Sequence, residues 1–126
     1  SNNITLGGLL NEKDLIGSYS ATDLTILTST SESFPNVIGE SMACTTPCLT
    51  FNVGDCSQII GSYGWILKNN NLYDLIAGIE DAIKFKEFKE KWKNLKEESR
   101  KNIYNNFSED IEKIKYLKAF DEIFNN

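Results

Sequence analysis

Hydrophobic residues fall in short runs over the first half of the chain. In the second half they recur every three or four residues over long stretches, which is the spacing of a helix. Four short apolar runs predict strands, at residues 4–6, 24–27, 48–51 and 65–67. The run from Leu24 to Leu27 is typical of a strand buried on both faces of a parallel sheet. Between the first two runs, Leu15, Ile16 and Tyr19 have the spacing of a helix over about Glu12–Ser20.

From about residue 71 onward the pattern is entirely helical. One apolar stripe predicts a helix packed on the sheet, and its members are Leu72, Leu75, Ile76, Ile79 and Ile83. The spacing continues through Phe85, Phe88, Trp92 and Leu95. Ser108 is the predicted cap of a last helix, whose apolar side consists of Ile111, Ile114, Leu117, Phe120 and Phe124.

The alternation of strands and helices predicts an α/β fold, a Rossmann-like parallel sheet flanked by helices, with right-handed crossovers and a helical C-terminus. The turn over Asn52–Asp55 leads to a short helix that ends near Ile60, for which Asp55 or Ser57 is the predicted cap. Ligands of such sheets bind at the carboxyl ends of the strands.

The segment after Leu27 places two carboxylates, Glu32 and Glu40, eight residues apart across a predicted helix start. Pro35 suits the first helical position, because its missing N–H is no loss there. The amides of Asn36, Val37 and Ile38 then lack intrahelical partners and face a place where an anion can bind. Such a site suits a sugar nucleotide, with amides for the diphosphate and carboxylates that accept from hydroxyls.

Two simpler interpretations compete with this site. On spacing alone, Glu32 and Glu40 are better explained as two surface carboxylates, since short motifs carry little information. Ser31 or Ser33 is also able to cap the amides at the helix start, alongside a ligand that takes the remaining donors.

The composition limits the class of protein. A chain of 126 residues with 40% hydrophobic and 25% charged residues suits one globular domain. Its net charge of −5 argues against nucleic-acid binding.

Cys44, Cys48 and Cys56 have neither a C-x-x-C spacing nor a histidine to complete a zinc site, so we expect buried thiols in a reducing cytoplasm. No apolar run is long enough to span a membrane, and no signal-peptide pattern is present.

Basic residues concentrate between Lys84 and Lys101, interleaved with aromatic side chains. This segment suits contact with anionic lipid. A solvated helix face is the favoured interpretation, because Glu87, Glu90, Glu97 and Glu98 are interspersed.

Several motifs occur together in an order that resembles the donor-binding domain of the GT-B glycosyltransferases, in the retaining group known as group 1 or family 4. The residues that carry this resemblance are Glu32, Phe34, Pro35, Asn36, Val37, Glu40, Met42, Ala43, Pro47 and Val53–Asp55. They match that family's E-x7-E segment, the helix and proline after it, and a glycine loop. Further matches are Leu6–Gly7, Ala21–Leu24 and Asn105–Ser108, so the resemblance covers nearly the whole chain.

The resemblance implies roles for individual residues. Glu32 is expected near the donor sugar and diphosphate as the catalytic position, and Glu40 at the ribose hydroxyls. Ser33, Phe34, Pro35, Asn36 and Val37 complete the implied donor site, and Gly7 and Leu9 lie in the implied vicinity of the nucleotide base. Gly54–Asp55 matches a phosphate-side loop, although an ordinary turn is favoured.

The implied activity is glycosyl transfer from a nucleoside-diphosphate sugar to a glycan or lipid-linked acceptor, with retention of configuration. No cofactor and no metal are expected. Residues 1–126 are expected to form an incomplete C-terminal nucleotide-sugar-binding domain that is inactive alone, with a helical tail over about 71–126. The acceptor domain at the N-terminus, and the pair of cationic residues that would contact the diphosphate, are expected outside residues 1–126. The implied location is cytoplasmic, at the inner face of the membrane where the full enzyme associates with it peripherally.

Two rivals remain from the residues themselves. A flavodoxin-like or receiver-like binding module shares the topology, but a receiver needs an acidic cluster after its first strand and a lysine after its last, and neither is visible. An epimerase of related build needs catalytic histidines, and the chain has none. One departure from the family pattern concerns Thr45, which stands where the family usually has glycine, so we expect the loop after the helix to close differently.

Overall fold

A computed structural model describes residues 3–29, 36–107 and 111–124, the last with side chains from residue 117 onward. Its centre is a parallel sheet of three strands in the order β1-β2-β3: β1 Thr25–Leu27, β2 Cys48–Phe51 and β3 Trp65–Leu67. The helices are α1 Glu12–Ala21, α2 Asn36–Ala43, α3 Cys56–Ile60, α4 Leu72–Lys86, α5 Lys89–Asn106 and α6 Ile111–Phe124. The predicted α/β class, with its helical C-terminus, is confirmed.

The central strand is the most deeply buried part of the sheet. All four residues of β2 are buried, and Leu49 pairs with Ile26 on one side and with Trp65 on the other. Ile26 of β1 is 41% exposed, so the prediction that this strand is buried on both faces is wrong. β1 lies at the edge of the described sheet, where it has a neighbour on one side only.

The predicted strand at residues 4–6 is also absent from the described structure. Ile4 is 71% exposed and Leu6 is 94% exposed. A strand is stabilised by pairing with a neighbour and by packing its side chains on a core. Neither is present for this segment, so its apolar pattern alone does not form a strand.

A side-chain cap marks the start of α1 but not that of α3. The Asn11 side chain accepts a hydrogen bond from the Asp14 amide at 2.8 Å, which starts α1 one residue later, as its sequence predicts. Asp55 occupies the N-cap position of α3 but makes no side-chain cap bond, and Ser57 lies inside the helix. The turn before α3 is confirmed, and Gly54 adopts a φ of 50° within it.

The face of α4 that packs on the sheet differs from the predicted stripe. Leu72, Ile76 and Ile83 are 66%, 46% and 59% exposed, whereas Gly78 and Ala82 are buried. A Cβ added to Gly78 would lie 2.5 Å from Leu67 Cδ2, so the helix approaches the sheet most closely at its glycine. Leu75 and Ile79 pack against the core cluster of the sheet, whereas the other three are turned toward solvent, so the predicted stripe is only partly correct.

Aromatic residues join α4 and α5 to the edge of β3. Trp65 lies 5.8 Å from Phe85 and 6.2 Å from Trp92, measured between ring centroids. Phe88 is 58% exposed at the break between the two helices, with the Lys91 ammonium 5.1 Å from its ring centroid. The lysines of this segment are mostly exposed, which agrees with the predicted solvated face.

The last helix closes the core as its pattern predicts, in the part that is described. Leu117 is buried, and Phe120 packs against the main core cluster, while Phe124 is 50% exposed. The predicted cap, Ser108, and the side chains of Ile111 and Ile114 lie outside the described residues.

The loop after α2 closes in the ordinary way despite its threonine. The Thr46 amide donates to the Ser41 carbonyl and the Thr45 amide donates to the Met42 carbonyl, both at 3.0 Å, which is the hydrogen-bond pattern of a Schellman motif. Thr45 takes the left-handed position with a φ of 65°. The expectation that this loop closes differently is therefore wrong. The two capping bonds, together with the burial of Thr46 and Pro47, hold a β-branched residue in a conformation that favours glycine.

We expect Thr45→Gly to stabilise the protein by about 1 kcal/mol, because glycine reaches positive φ without the steric cost of a β-branched side chain. The free energy of unfolding in urea measures the change. Thr28→Gly, at an exposed position in the loop after β1, is the control and should not stabilise the protein. A loss of stability in Thr45→Gly would show that the threonine side chain contributes more than its backbone costs.

A second prediction concerns the tight approach of the α3–β3 loop to β2. A Cβ added to Gly64 would lie 2.5 Å from the Cys48 carbonyl oxygen, whereas one added to Gly17 in α1 meets nothing within 4 Å. Gly64→Ala should therefore destabilise the protein by roughly 2 kcal/mol. Gly17→Ala, the same substitution in a helix, should stabilise it by about 0.5–1 kcal/mol. Equal effects of the two substitutions on the urea midpoint would contradict this packing.

Candidate functional site

The N-terminus of α2 lies at the carboxyl edge of the sheet, because α2 follows β1 and returns the chain to the start of the parallel strand β2. Asn36 and Val37 are exposed there, Val37 to 38%. The first-turn amides of a helix have no intrahelical acceptor. This turn is thus open to solvent at the edge where ligands of such sheets bind. Glu32, Ser33, Phe34 and Pro35 lie outside the described residues, so their assignments stay predictions.

Glu40 lies one turn into α2 and is half-buried. Its Oε2 accepts a hydrogen bond from the Tyr19 hydroxyl at 3.0 Å. Tyr19 belongs to α1 and is only 9% exposed. A residue 21 positions earlier in the chain therefore sets the direction of the predicted ribose-binding carboxylate, and the sequence analysis did not identify it.

The underside of α2 is attached to the sheet and to α1 by buried hydroxyl groups. Ser41, which is fully buried, contacts the Thr25 hydroxyl at 2.7 Å and donates to the Thr46 carbonyl at 3.0 Å. The Thr46 hydroxyl donates in turn to the Tyr19 carbonyl. Small polar residues inside an apolar stretch are the only sequence signal for this network.

The far end of α2 is held by Arg100 of α5. Its guanidinium donates to the Ala43 carbonyl and to Asp121 Oδ1, the latter at 2.7 Å, and its carbon lies 4.5 Å from the Phe120 ring centroid. A cation at a helix C-terminus is favourable for the helix dipole. The sequence analysis also missed Arg100, although it is the single arginine in a chain whose other cations are lysines. Its planar fork bridges three partners, which an ammonium group does less well.

The three cysteines are free and buried, as predicted. Burial raises the pKa of the Cys44 thiol to about 11, a smaller rise comes from the charge of Glu40, and Ser20 and Arg100 oppose the increase. Burial also raises the pKa of Cys48 to about 12, against a lowering hydrogen bond from Ser41. Both thiols are neutral at ordinary pH, and they form part of the apolar support beneath α2.

The residues predicted near the nucleotide base stand apart from this packing. Leu9 is fully exposed, and a Cβ added to Gly7 would meet Leu10 at 4.0 Å. Their assignment to the base vicinity stays a prediction. Across the described ranges, the acidic and cysteine side chains form no group able to hold a metal ion. In the same ranges, no helix combines the length and the apolar character needed to cross a bilayer.

A parallel sheet flanked by helices, with an exposed helix start at its carboxyl edge, defines a Rossmann-like domain. The sequence profile of the family described as "Glycosyl transferases group 1" matches residues 1–102. The chain belongs to this family. Family membership favours the glycosyltransferase interpretation over the flavodoxin-like or receiver-like module that the residues left open.

Named relatives agree with this assignment. The chain is 32% identical over 88 residues to N-acetyl-alpha-D-glucosaminyl L-malate synthase of Bacillus anthracis, which covers 68% of this chain and 22% of that protein. A glycosyltransferase from Rickettsia africae has a TM-score of 0.71 at 27% identity, with 92% of this chain and 31% of that one covered. Sucrose-phosphate synthase from Thermosynechococcus elongatus shares the fold, with a TM-score of 0.76 at 20% identity, over 98% of this chain and 31% of that one. The chain thus spans less than a third of each of these proteins.

The buried thiols predict how stability responds to alkaline pH. The unfolded chain releases its thiol protons near the ordinary pKa of 9.0, whereas the folded chain retains them up to about 11 at Cys44 and about 12 at Cys48. Stability is therefore fully present below pH 9 and falls above it, by up to about 1.4 kcal/mol per pH unit for each thiol. Urea unfolding between pH 8 and pH 10 measures this slope.

Cys48→Ala is the control, because it removes one of the two thiols and leaves the other ionisable side chains unchanged. Its unfolding free energy should fall less steeply above pH 9 than that of the unaltered protein. Identical slopes in the two proteins would show that the Cys48 thiol does not contribute.

Proposed function

We propose that this chain supplies part of the donor site of a glycosyltransferase that uses a nucleoside-diphosphate sugar. The observation that carries the proposal is the position of Glu40, half-buried and one turn behind the exposed start of α2 at the carboxyl edge of the sheet. This carboxylate belongs to the same helix as the exposed first-turn amides, and amides at a helix start are able to bind an anion. Family membership adds the class of reaction.

In this proposal the site recognises the donor through two kinds of group. First-turn amides of α2, at Asn36 and Val37, donate to the diphosphate, where the helix dipole also favours negative charge. Glu40 accepts from the ribose hydroxyls. A carboxylate built to accept these protons discriminates strongly against a ligand that lacks them, because its own lone pairs then lose their partners.

Glu32 is proposed as the catalytic position near the sugar and the diphosphate. It acts there by position and charge, not as a nucleophile, and the acceptor attacks the face that the nucleotide leaves, so that configuration is retained. Stabilising the departing diphosphate requires positive charge as well as helix amides. We assign that charge to a cationic pair contributed from outside residues 1–126.

The complete protein is proposed to carry a second domain that binds a glycan or lipid-linked acceptor. Residues 1–126 then form an incomplete donor domain, which is inactive alone because the cleft needs both halves. The reaction needs no metal or other cofactor in this proposal, and a cytoplasmic location at the inner membrane face suits a lipid-linked acceptor.

Nucleotide titration of the complete protein tests the proposal. We expect saturable binding of one of UDP, GDP or ADP, measured by calorimetry. Glu40→Ala should weaken that binding by about 1–3 kcal/mol, because a ribose hydroxyl then lacks its acceptor. Glu80→Ala, which removes an exposed carboxylate from α4, is the matched control and should leave affinity unchanged.

Two outcomes would contradict the proposal. One is the absence of binding to all three nucleotides by the unaltered protein, which would favour a noncatalytic module. The other is equal affinity in Glu40→Ala and the unaltered protein, which would remove this carboxylate from the donor site.

A further inference from the structure

We infer that Tyr19 is a positioning residue for the donor site, which holds the Glu40 carboxylate in the orientation that receives the ribose hydroxyls. The inference rests on the proposed function, because it needs Glu40 to contact the nucleotide. It adds a residue from a different helix, α1, to the donor site proposed at α2.

Tyr19 is attached to the α2 region at both of its ends. Its hydroxyl donates to Glu40 Oε2 at 3.0 Å, and its carbonyl accepts from the hydroxyl of Thr46 just after α2. The ring between these two points is packed in the core together with Ile16 and Met42. The phenol oxygen thus has little freedom to move relative to α2.

This anchoring matters because a glutamate side chain is flexible. Fixing a long side chain costs rotamer entropy, and a site that is already ordered avoids this cost when the ligand binds. A hydrogen bond to an ionised carboxylate is stronger than one between neutral groups, so the phenol is a suitable anchor.

The tyrosine does not compete with the ligand for the carboxylate. An ionised carboxylate has about four lone-pair sites, and the Tyr19 hydroxyl uses one of them. The Tyr19 hydroxyl by itself therefore does not saturate the carboxylate as an acceptor, and the inference requires Tyr19 to stay in place when ribose hydroxyls bind. The arrangement resembles the supporting shell that keeps a binding group in its productive geometry.

Tyr19→Phe in the complete protein tests the inference, because it removes the hydroxyl and keeps the packed ring. Calorimetry with UDP, GDP and ADP first identifies the nucleotide that binds. We expect the dissociation constant for that nucleotide to rise about 3- to 10-fold, the usual range for one lost hydrogen bond. For its 2′,3′-dideoxy counterpart, which presents no ribose hydroxyls to Glu40, we expect no change.

Two further variants separate positioning from a general structural effect. Tyr63→Phe removes a hydroxyl from another partly buried tyrosine beside the same core cluster and should leave both affinities unchanged. In a Glu40→Gln background, Tyr19→Phe should weaken ribonucleotide binding by less than 2-fold, since the carboxylate that it positions is already absent. Both results would support the inference.

The contrary results distinguish this inference from the proposed function. If Glu40→Gln weakens ribonucleotide binding and Tyr19→Phe does not, the donor site stands and the role of Tyr19 is wrong. If Tyr19→Phe weakens the ribonucleotide and the dideoxynucleotide equally, its effect is structural and the inference fails. If the unaltered protein binds no nucleotide, the proposed function fails and this inference fails with it.

Discussion

The burial of α2 is the constraint on which the rest of this structure depends. Its residues Ile38, Met42 and Ala43 are fully buried, and it packs against α1, α5, α6 and two strands. A helix enclosed in this way cannot rotate or slide without opening the core, since interiors are close-packed. Its first turn is the part that reaches solvent, at Asn36 and Val37. Hydrophobic packing therefore determines where the exposed amides and Glu40 are presented.

Polar contacts then select one orientation for that helix. Ser41, Thr46 and Arg100 connect α2 or its closing loop to a strand, to α1 and to α5, respectively. In the described parts of the chain, every buried side-chain nitrogen and oxygen has a hydrogen-bond partner. Apolar packing tolerates small shifts, whereas a hydrogen bond weakens steeply when its geometry is lost. The two kinds of contact together hold Glu40 beside Tyr19.

Some family features follow from this packing and others do not. The closing loop after α2 keeps the Schellman hydrogen bonds although Thr45 replaces the usual glycine, because the burial of its neighbours outweighs a local steric cost. The segment at residues 4–6, in contrast, has the apolar pattern of the family strand and no partner in the described structure. The loop, whose neighbours pack in the core, keeps its structure despite the substitution. The strand expected at residues 4–6, which has no neighbouring strand among the described residues, does not form.

Sequence alone determined the elements whose signals are local. Hydrophobic runs located β2 and β3, the spacing of Leu15, Ile16 and Tyr19 located α1, and the E-x7-E segment indicated the family and its candidate site. Period and capping act within one turn or one strand, so they can be read from neighbouring residues. Tertiary structure decided which face of α4 is buried, because the closest approach occurs at Gly78 and depends on Leu67. It also decided that Tyr19 meets Glu40 and that Arg100 caps α2, since both contacts join residues brought together only when the helices pack.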